Sequence, residues 1–230
     1  MFRGKMKAIT FSYDDGVTQD KRLVDIFNKY GLKATFNINS ELLGRKNQLV
    51  REGVTVEHNK LSPSEIKDIY KGHEVAVHTL THPNLTQLDE KEIIRQVEED
   101  RKNLESLVGY DIVGMAYPCG GTNNNDYVAE VIKNNTKIKY ARTITSAHNF
   151  DMQDNLYRFN PTVHHGEWDK VFELAENFIN LKADKPKLFY IWGHSYEFDI
   201  HNTWNEFEEF CRFISNKSDI FYGTNRDVLL

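Results

Sequence analysis

The sequence has only two cysteines, Cys119 and Cys211, in 230 residues. That is too few for a disulfide framework. Its 5 prolines are scattered, and no proline-rich, glycine/serine-rich or low-complexity linker interrupts it. The expectation is therefore a single domain over residues 1–230, a length that buries a core without staples. There is no basic surplus. Lys plus Arg is 29 against 34 Asp plus Glu, a formal net charge of −5. This argues against nucleic acid or an anionic membrane as partner. No apolar run is long enough for a transmembrane helix. The opening residues lack the apolar stretch and small-residue cleavage site of a signal peptide, so a reduced, cytoplasmic protein is expected. What the chain does have is aromatic mass: 14 Phe, 11 Tyr and 3 Trp, too many for disorder.

Short apolar runs alternate with amphipathic segments. Strands are expected at 7–11, 34–37, 74–78, 112–116, 139–142, 157–160, 187–191 and 220–222. Between them, stripes such as Ile93, Val97, Leu104 and Val108 mark helices. Ser62-Pro63-Ser64-Glu65 is a helix start with cap, first-turn proline and capping-box glutamate. Seven or eight strands in this rhythm predict an α/β fold with a parallel sheet. The polar residues follow strand ends: Asp14 and Asp15, His78 and His82, Cys119, Arg142, His164 and His165, and His194. Groups arriving from so many strands converge most easily at the C-terminal mouth of a barrel, so a barrel is preferred to an open sheet.

Ser12-Tyr13-Asp14-Asp15-Gly16 and His78-Thr79-Leu80-Thr81-His82 carry the strongest chemical signal. Of two adjacent carboxylates at a strand end, one can ligate a cation while the other stays free as a base; spacing alone does not rank them. Two histidines four apart reach one metal if the segment turns helically. Two His and one Asp leave an open position, the pattern of a catalytic site. The histidine spacing is that of the zinc-protease His-Glu-x-x-His helix, but Thr79 stands where the glutamate base would be. The base then falls to the Asp pair. Cys119, between proline and glycine, reads as a turn residue rather than a nucleophile, and Cys211 as core.

These residues also carry a resemblance. Thr10 to Gly16 resembles the first motif of the polysaccharide deacetylase family (carbohydrate esterase family four, the NodB-homology domain), and His78 to His82 its second. Tyr117-Pro118-Cys119-Gly120 is similar to the end of the third, and Phe189 to His194 to the fifth. The resemblance implies an incomplete (β/α) barrel, with Asp15, His78 and His82 binding a divalent metal, usually zinc. It implies Asp14 as general base, the Cys119 backbone N–H at the oxyanion and His194 as general acid. The expected substrate is an N-acetylated carbohydrate or small amide.

The family arginine expected before Pro118 is missing, and Arg142 is the substitute expected beside Asp14. The fourth motif, an Asp-Trp pair, is not recognisable. His164, His165 and Trp168 are candidates to line the site there, and Glu197 or Asp199 to orient His194. O-deacetylation, hydrolysis of a small amide or ureide, and a carbohydrate-binding pseudoenzyme stay open as rival readings.

Overall fold

The computed structural model describes residues 2–230. Its strands are β1 Lys7–Asp14, β2 Ala34–Ile38, β3 Gln48–Arg51, β4 Val54–Glu57, β5 Glu74–Val77, β6 Gly114–Ala116, β7 Tyr140–Arg142, β8 Val163–His164, β9 Lys187–Gly193 and β10 Ile220–Tyr222. Seven of them form one parallel sheet in the order β7-β6-β5-β2-β1-β9-β8, and β10 adds to β1. The sheet curls into a half-barrel. Between β7 and β8 the wall is completed by a parallel bridge from Arg142 to Phe159 and by Ala147 N and His148 N donating to Pro161 O and Thr162 O.

Side-chain alternation along β1 explains how one strand serves both a core and a site. Ile9, Phe11 and Tyr13 face the helices and join the main apolar core. Each such fully buried apolar side chain contributes about 1.5–3 kcal/mol. Ala8, Thr10, Ser12 and Asp14 turn inward. Ala8 packs with Tyr140, Leu188 and Tyr190 and with Val228 and Leu229 of the C-terminal helix Asn225–Leu229. Thr10 donates to Asn225, and Ser12 accepts from Asn37 and Arg142. Apolar residues thus plug the bottom of the half-barrel, while its interior grows polar toward the mouth.

The helices lie where the stripes place them. Glu90–Val108 starts at Asp89, whose side chain accepts from Glu92 N, and stops at Gly109 with φ 83. The Ser62–Glu65 capping box is formed, although it opens a short 3-10 turn before the helix Ile66–Ile69.

Two stretches differ from the sequence reading. Residues 157–160 are not a regular strand. Asn155 accepts from Tyr157 N and starts a 3-10 turn over Leu156–Arg158, leaving Phe159 alone to pair with β7; the strand is β8, Val163–His164. The antiparallel hairpin β3–β4 carried no hydrophobic signal, because only Val56 in it is buried. Its turn is made by Glu52 (φ 55) and Gly53 (φ 78), the left-handed pair that tight hairpins need.

Candidate active site

Asp14 ends β1 pointing inward, and the chain then leaves the strand. Asp15 takes φ 85, which breaks the alternation and brings the second carboxylate to the same mouth from a different direction. Gly16 follows at φ 62, where a Cβ would meet Ile38 Cγ2 at 3.0 Å. Glycine is therefore required for this corner.

Arg142, fully buried at the end of β7, reaches both Asp14 oxygens through Nη2. Its Nε donates to Ser12 Oγ at 3.2 Å, and its guanidinium lies 4.4 Å from the Trp192 ring centroid. Asn37 Nδ2 donates to Asp14 Oδ1 at 2.8 Å. Burial alone would raise the Asp14 pKa, but the charge of Arg142 and the nearby His78 and His194 outweigh it and lower it. Asp14 is thus held ionised and oriented.

Asp15, His78 and His82 place one ligand atom each within 4.8 Å of one another. The two imidazoles meet through an irregular loop rather than a helical turn, with positive φ at Thr79 (67) and His82 (64). His78 Nδ1 donates to Ala116 O at 2.9 Å, which leaves Nε2 as the free lone pair. Burial lowers the His78 pKa to about 4 and that of His82 in the same direction, so both rings stay neutral. Burial pushes the Asp15 pKa up, yet Lys60 and His58 bring it well below the usual carboxylate range. A carboxylate and two neutral imidazoles with free nitrogens are the donor chemistry a divalent cation requires.

On the other side stands His194, at the end of β9, with Nε2 4.0 Å from Asp14 Oδ2. Its Nδ1 lies 3.4 Å from Glu197 Oε2. That same oxygen lies 3.1 Å from His164 Nε2 and accepts from His165 Nε2 at 2.9 Å. Tyr13 O–H donates to His165 Nδ1 at 3.0 Å, and Arg51 Nη1 donates to Glu197 Oε1 at 3.0 Å. Burial would lower the His194 pKa, but the Glu197 charge, with Asp15 and Asp14 beyond, raises it to about 9. This shift favours the protonated form of His194, the form that can donate a proton.

Asp14, Asp15, His78, His82, Cys119 and His194 line one cavity of about 440 Å³, together with Tyr117, His164, Trp192, Tyr196 and Glu197. Arg142 lies beneath its floor. Cys119 has φ 68, and Asn123 Nδ2 ties the turn through Pro118 O and Cys119 O. Burial and the Asp15 charge raise the Cys119 thiol pKa, so the sulfur stays protonated and is a poor nucleophile. His165 is buried behind Glu197, Asp199 accepts instead from Trp204 and Gln19, and Trp168 packs against Phe172 and Phe198. Of the residues weighed for the missing fourth motif, His164 reaches the cavity, and of the two carboxylates weighed to orient His194, Glu197 does. Lys60, whose Nζ donates to Asp15 O at 2.8 Å, and His58, 3.3 Å from Asp15 Oδ2, carried no sequence signal. They come from the loop after the hairpin.

Comparison with known proteins accords with this geometry. The family model described as polysaccharide deacetylase matches residues 3–138. The chain belongs to the polysaccharide deacetylase family. It is similar to the peptidoglycan-N-acetylmuramic acid deacetylase PdaC of Bacillus subtilis, at 29% identity over 120 residues, 51% of this chain and 22% of that protein. It is also similar to a chitooligosaccharide deacetylase of Rhizobium leguminosarum, at 26% identity over 116 residues, 50% of this chain and 41% of that one. The matched stretch thus spans less than half the length of these relatives. The solved structure of a mutant of the Bacillus subtilis peptidoglycan deacetylase PdaC shares the fold, with a TM-score of 0.57 at 18% identity, covering 97% of this chain and 90% of that one. A family 4 carbohydrate esterase from Streptomyces lividans does likewise, with a TM-score of 0.57 at 14% identity, covering 96% and 92%.

Proposed function

We propose that this protein is a metal-dependent hydrolase that removes acetyl groups from N-acetylated sugars. The observation that carries the reading is the meeting, in one cavity, of a two-His-one-Asp donor set, a carboxylate paired with Arg142 and the His194 imidazole set beside Glu197. Membership of the deacetylase family supports it.

Asp15, His78 and His82 would hold one divalent ion, with zinc the metal that two imidazoles and a carboxylate favour. When bound, the ion supplies Lewis acidity to the acetyl carbonyl and lowers the pKa of water from 15.7 to about 7. Asp14, unprotonated and oriented by Arg142 and Asn37, takes the proton of the attacking water. The Cys119 backbone N–H donates to the oxygen on which charge develops, a contribution of about 3 kcal/mol for a well-placed donor. His194 gives its proton to the departing amine, so the sugar leaves as a neutral amine and acetate is released. General acid or base assistance of this kind is worth about 10²–10⁴-fold.

Acetate release from N-acetylglucosamine oligomers tests the reading. Release by the native protein and its loss in the His194→Ala variant are expected. Binding of the oligomers without turnover would favour a carbohydrate-binding pseudoenzyme instead.

A further inference from the structure

The long helix Glu90–Val108 turns Ile93, Val97, Leu104 and Val108 into the core. This apolar stripe skips one turn. Asp100 stands in the gap, fully buried, and Gln96 lies one turn before it, buried as well. A helix that only packed against the sheet would carry apolar residues at both places, because a buried carboxylate is unfavourable unless its oxygens are hydrogen-bonded. The oxygens of Asp100 engage two loops at the mouth of the half-barrel. Oδ1 accepts from Ser40 N at 2.7 Å, and Oδ2 accepts from His78 N at 3.1 Å. Gln96 Oε1 accepts from Thr81 N at 3.0 Å, and its Nε2 donates to Thr81 Oγ1 at 3.0 Å. The Gln96 carbonyl accepts from Leu80 N at 2.9 Å. Asn39 closes the grip from the opposite side, with Nδ2 donating to His78 O and Thr79 O. The segment held in this way carries both imidazoles of the donor set, and its backbone needs holding. Thr79 is β-branched and sits at φ 67, and His82 sits at φ 64. Such residues avoid this region, and they stay in it only where the surroundings over-determine them. His82 Nδ1 meets the Cys119 sulfur at 3.8 Å, a weak partner. The loop backbone therefore decides where the other His82 nitrogen stands relative to His78.

We propose that Asp100 and Gln96 are positioning residues for the metal donor set, clamping the His78–His82 backbone so that the two imidazoles are preorganised to share one ion. The inference rests on the reading of Asp15, His78 and His82 as metal ligands and extends it to a helix outside the cavity. Asp100 and Gln96 touch neither substrate nor ion. Their effect falls on metal affinity and on the geometry of the ligands.

Two variants test the clamp. Asp100→Asn keeps the size but sets an amide N–H against the backbone donors, and Gln96→Met keeps the length but loses the hydrogen bonds. Leu174→Ala, a core truncation in the helix Trp168–Asn180, is the control for stability alone. Zinc affinity is read by competition with a chromophoric chelator. Ligand geometry is read from the visible absorption of the cobalt(II)-loaded chain, and stability from urea unfolding of the metal-free chain. The native chain should bind about one equivalent of zinc. Asp100→Asn and Gln96→Met should each weaken zinc binding by about 10–100-fold and alter the cobalt spectrum. Leu174→Ala should lower the urea midpoint at least as far and leave both metal readouts as in the native chain. If Asp100→Asn fails to fold, Gln96→Met decides. Native zinc affinity and an unaltered cobalt spectrum in the folded variants overturn the clamp and leave the metal reading standing. A matching loss of affinity in Leu174→Ala also overturns it, because the effect then follows stability. A native chain that takes up no zinc overturns the metal reading itself, and the clamp with it.

Discussion

Arg142, from the end of β7, clasps Asp14, from the end of β1, across the width of the half-barrel. Both are buried, and the guanidinium is shared with Ser12 and capped by Trp192. Removing one partner of such a pair leaves the other charge unpaired in the interior. Arg142→Met should therefore cost about 3–5 kcal/mol of stability, measured by urea unfolding. Arg142→Lys keeps the charge but loses the fork. It should retain most of the stability, raise the Asp14 pKa and move the acid limb of the pH–rate profile upward. An unchanged acid limb in the lysine variant would show that Arg142 does not act through Asp14.

Glu197 sets the other limb. A protonated His194 is the donor, so activity should fall as pH rises through its pKa, which Glu197 raises above the ordinary histidine value. Glu197→Gln removes the charge that raises this pKa, and the limb should move down toward the ordinary histidine value near 6.5. The expected result at pH 8 is a large loss in the variant and little in the native protein. Substrates with good leaving groups, which need little protonation, should hide the difference. A limb unmoved by the substitution would assign the alkaline titration to another group.

A base and a ligand fail differently, which separates the two aspartates. Asp14→Asn should keep its metal and lose about 10²–10⁴-fold in rate. Asp15→Asn removes the anionic member of the donor set and should lose metal affinity, with part of the activity restored by excess zinc. Metal titration of both variants decides the matter, and the reverse pattern would exchange the roles.

Gly193 offers a test on stability alone. A Cβ there would meet the His165 ring at 2.6 Å, and that ring is buried and tied at both nitrogens, to Tyr13 and Glu197. Gly193→Ala should cost about 1–3 kcal/mol through overpacking, read from a lowered urea midpoint. A neutral effect would mean that the imidazole has room to move.

The sheet was legible because its strands are buried on both faces, which makes runs such as those at 7–11 and 187–191 nearly continuous in apolar and small residues. The polar residues at their ends, Asp14, His78 and His194, stood out against that background. Three things were not legible, for physical reasons. The hairpin β3–β4 has almost no buried face and so no periodic signal. Residues 157–160 have strand-like composition, yet the Asn155 side chain satisfies the backbone and diverts them into a turn. Lys60 and His58 gain their meaning only from lying against Asp15, a contact across more than forty residues that no local pattern announces. Glu197 was visible as a carboxylate near His194, but its collection of three imidazoles on one oxygen belongs to the fold.

The central claim is that a metal at Asp15, His78 and His82 is needed to release acetate from an N-acetylated sugar. The direct measurement is acetate release from N-acetylglucosamine oligomers by protein stripped with a chelator and then titrated with zinc. The account predicts almost no release from the stripped protein, full recovery near about one equivalent of zinc, and no recovery in His78→Ala at that level. Undiminished release by the stripped protein, or full recovery in His78→Ala, would contradict it.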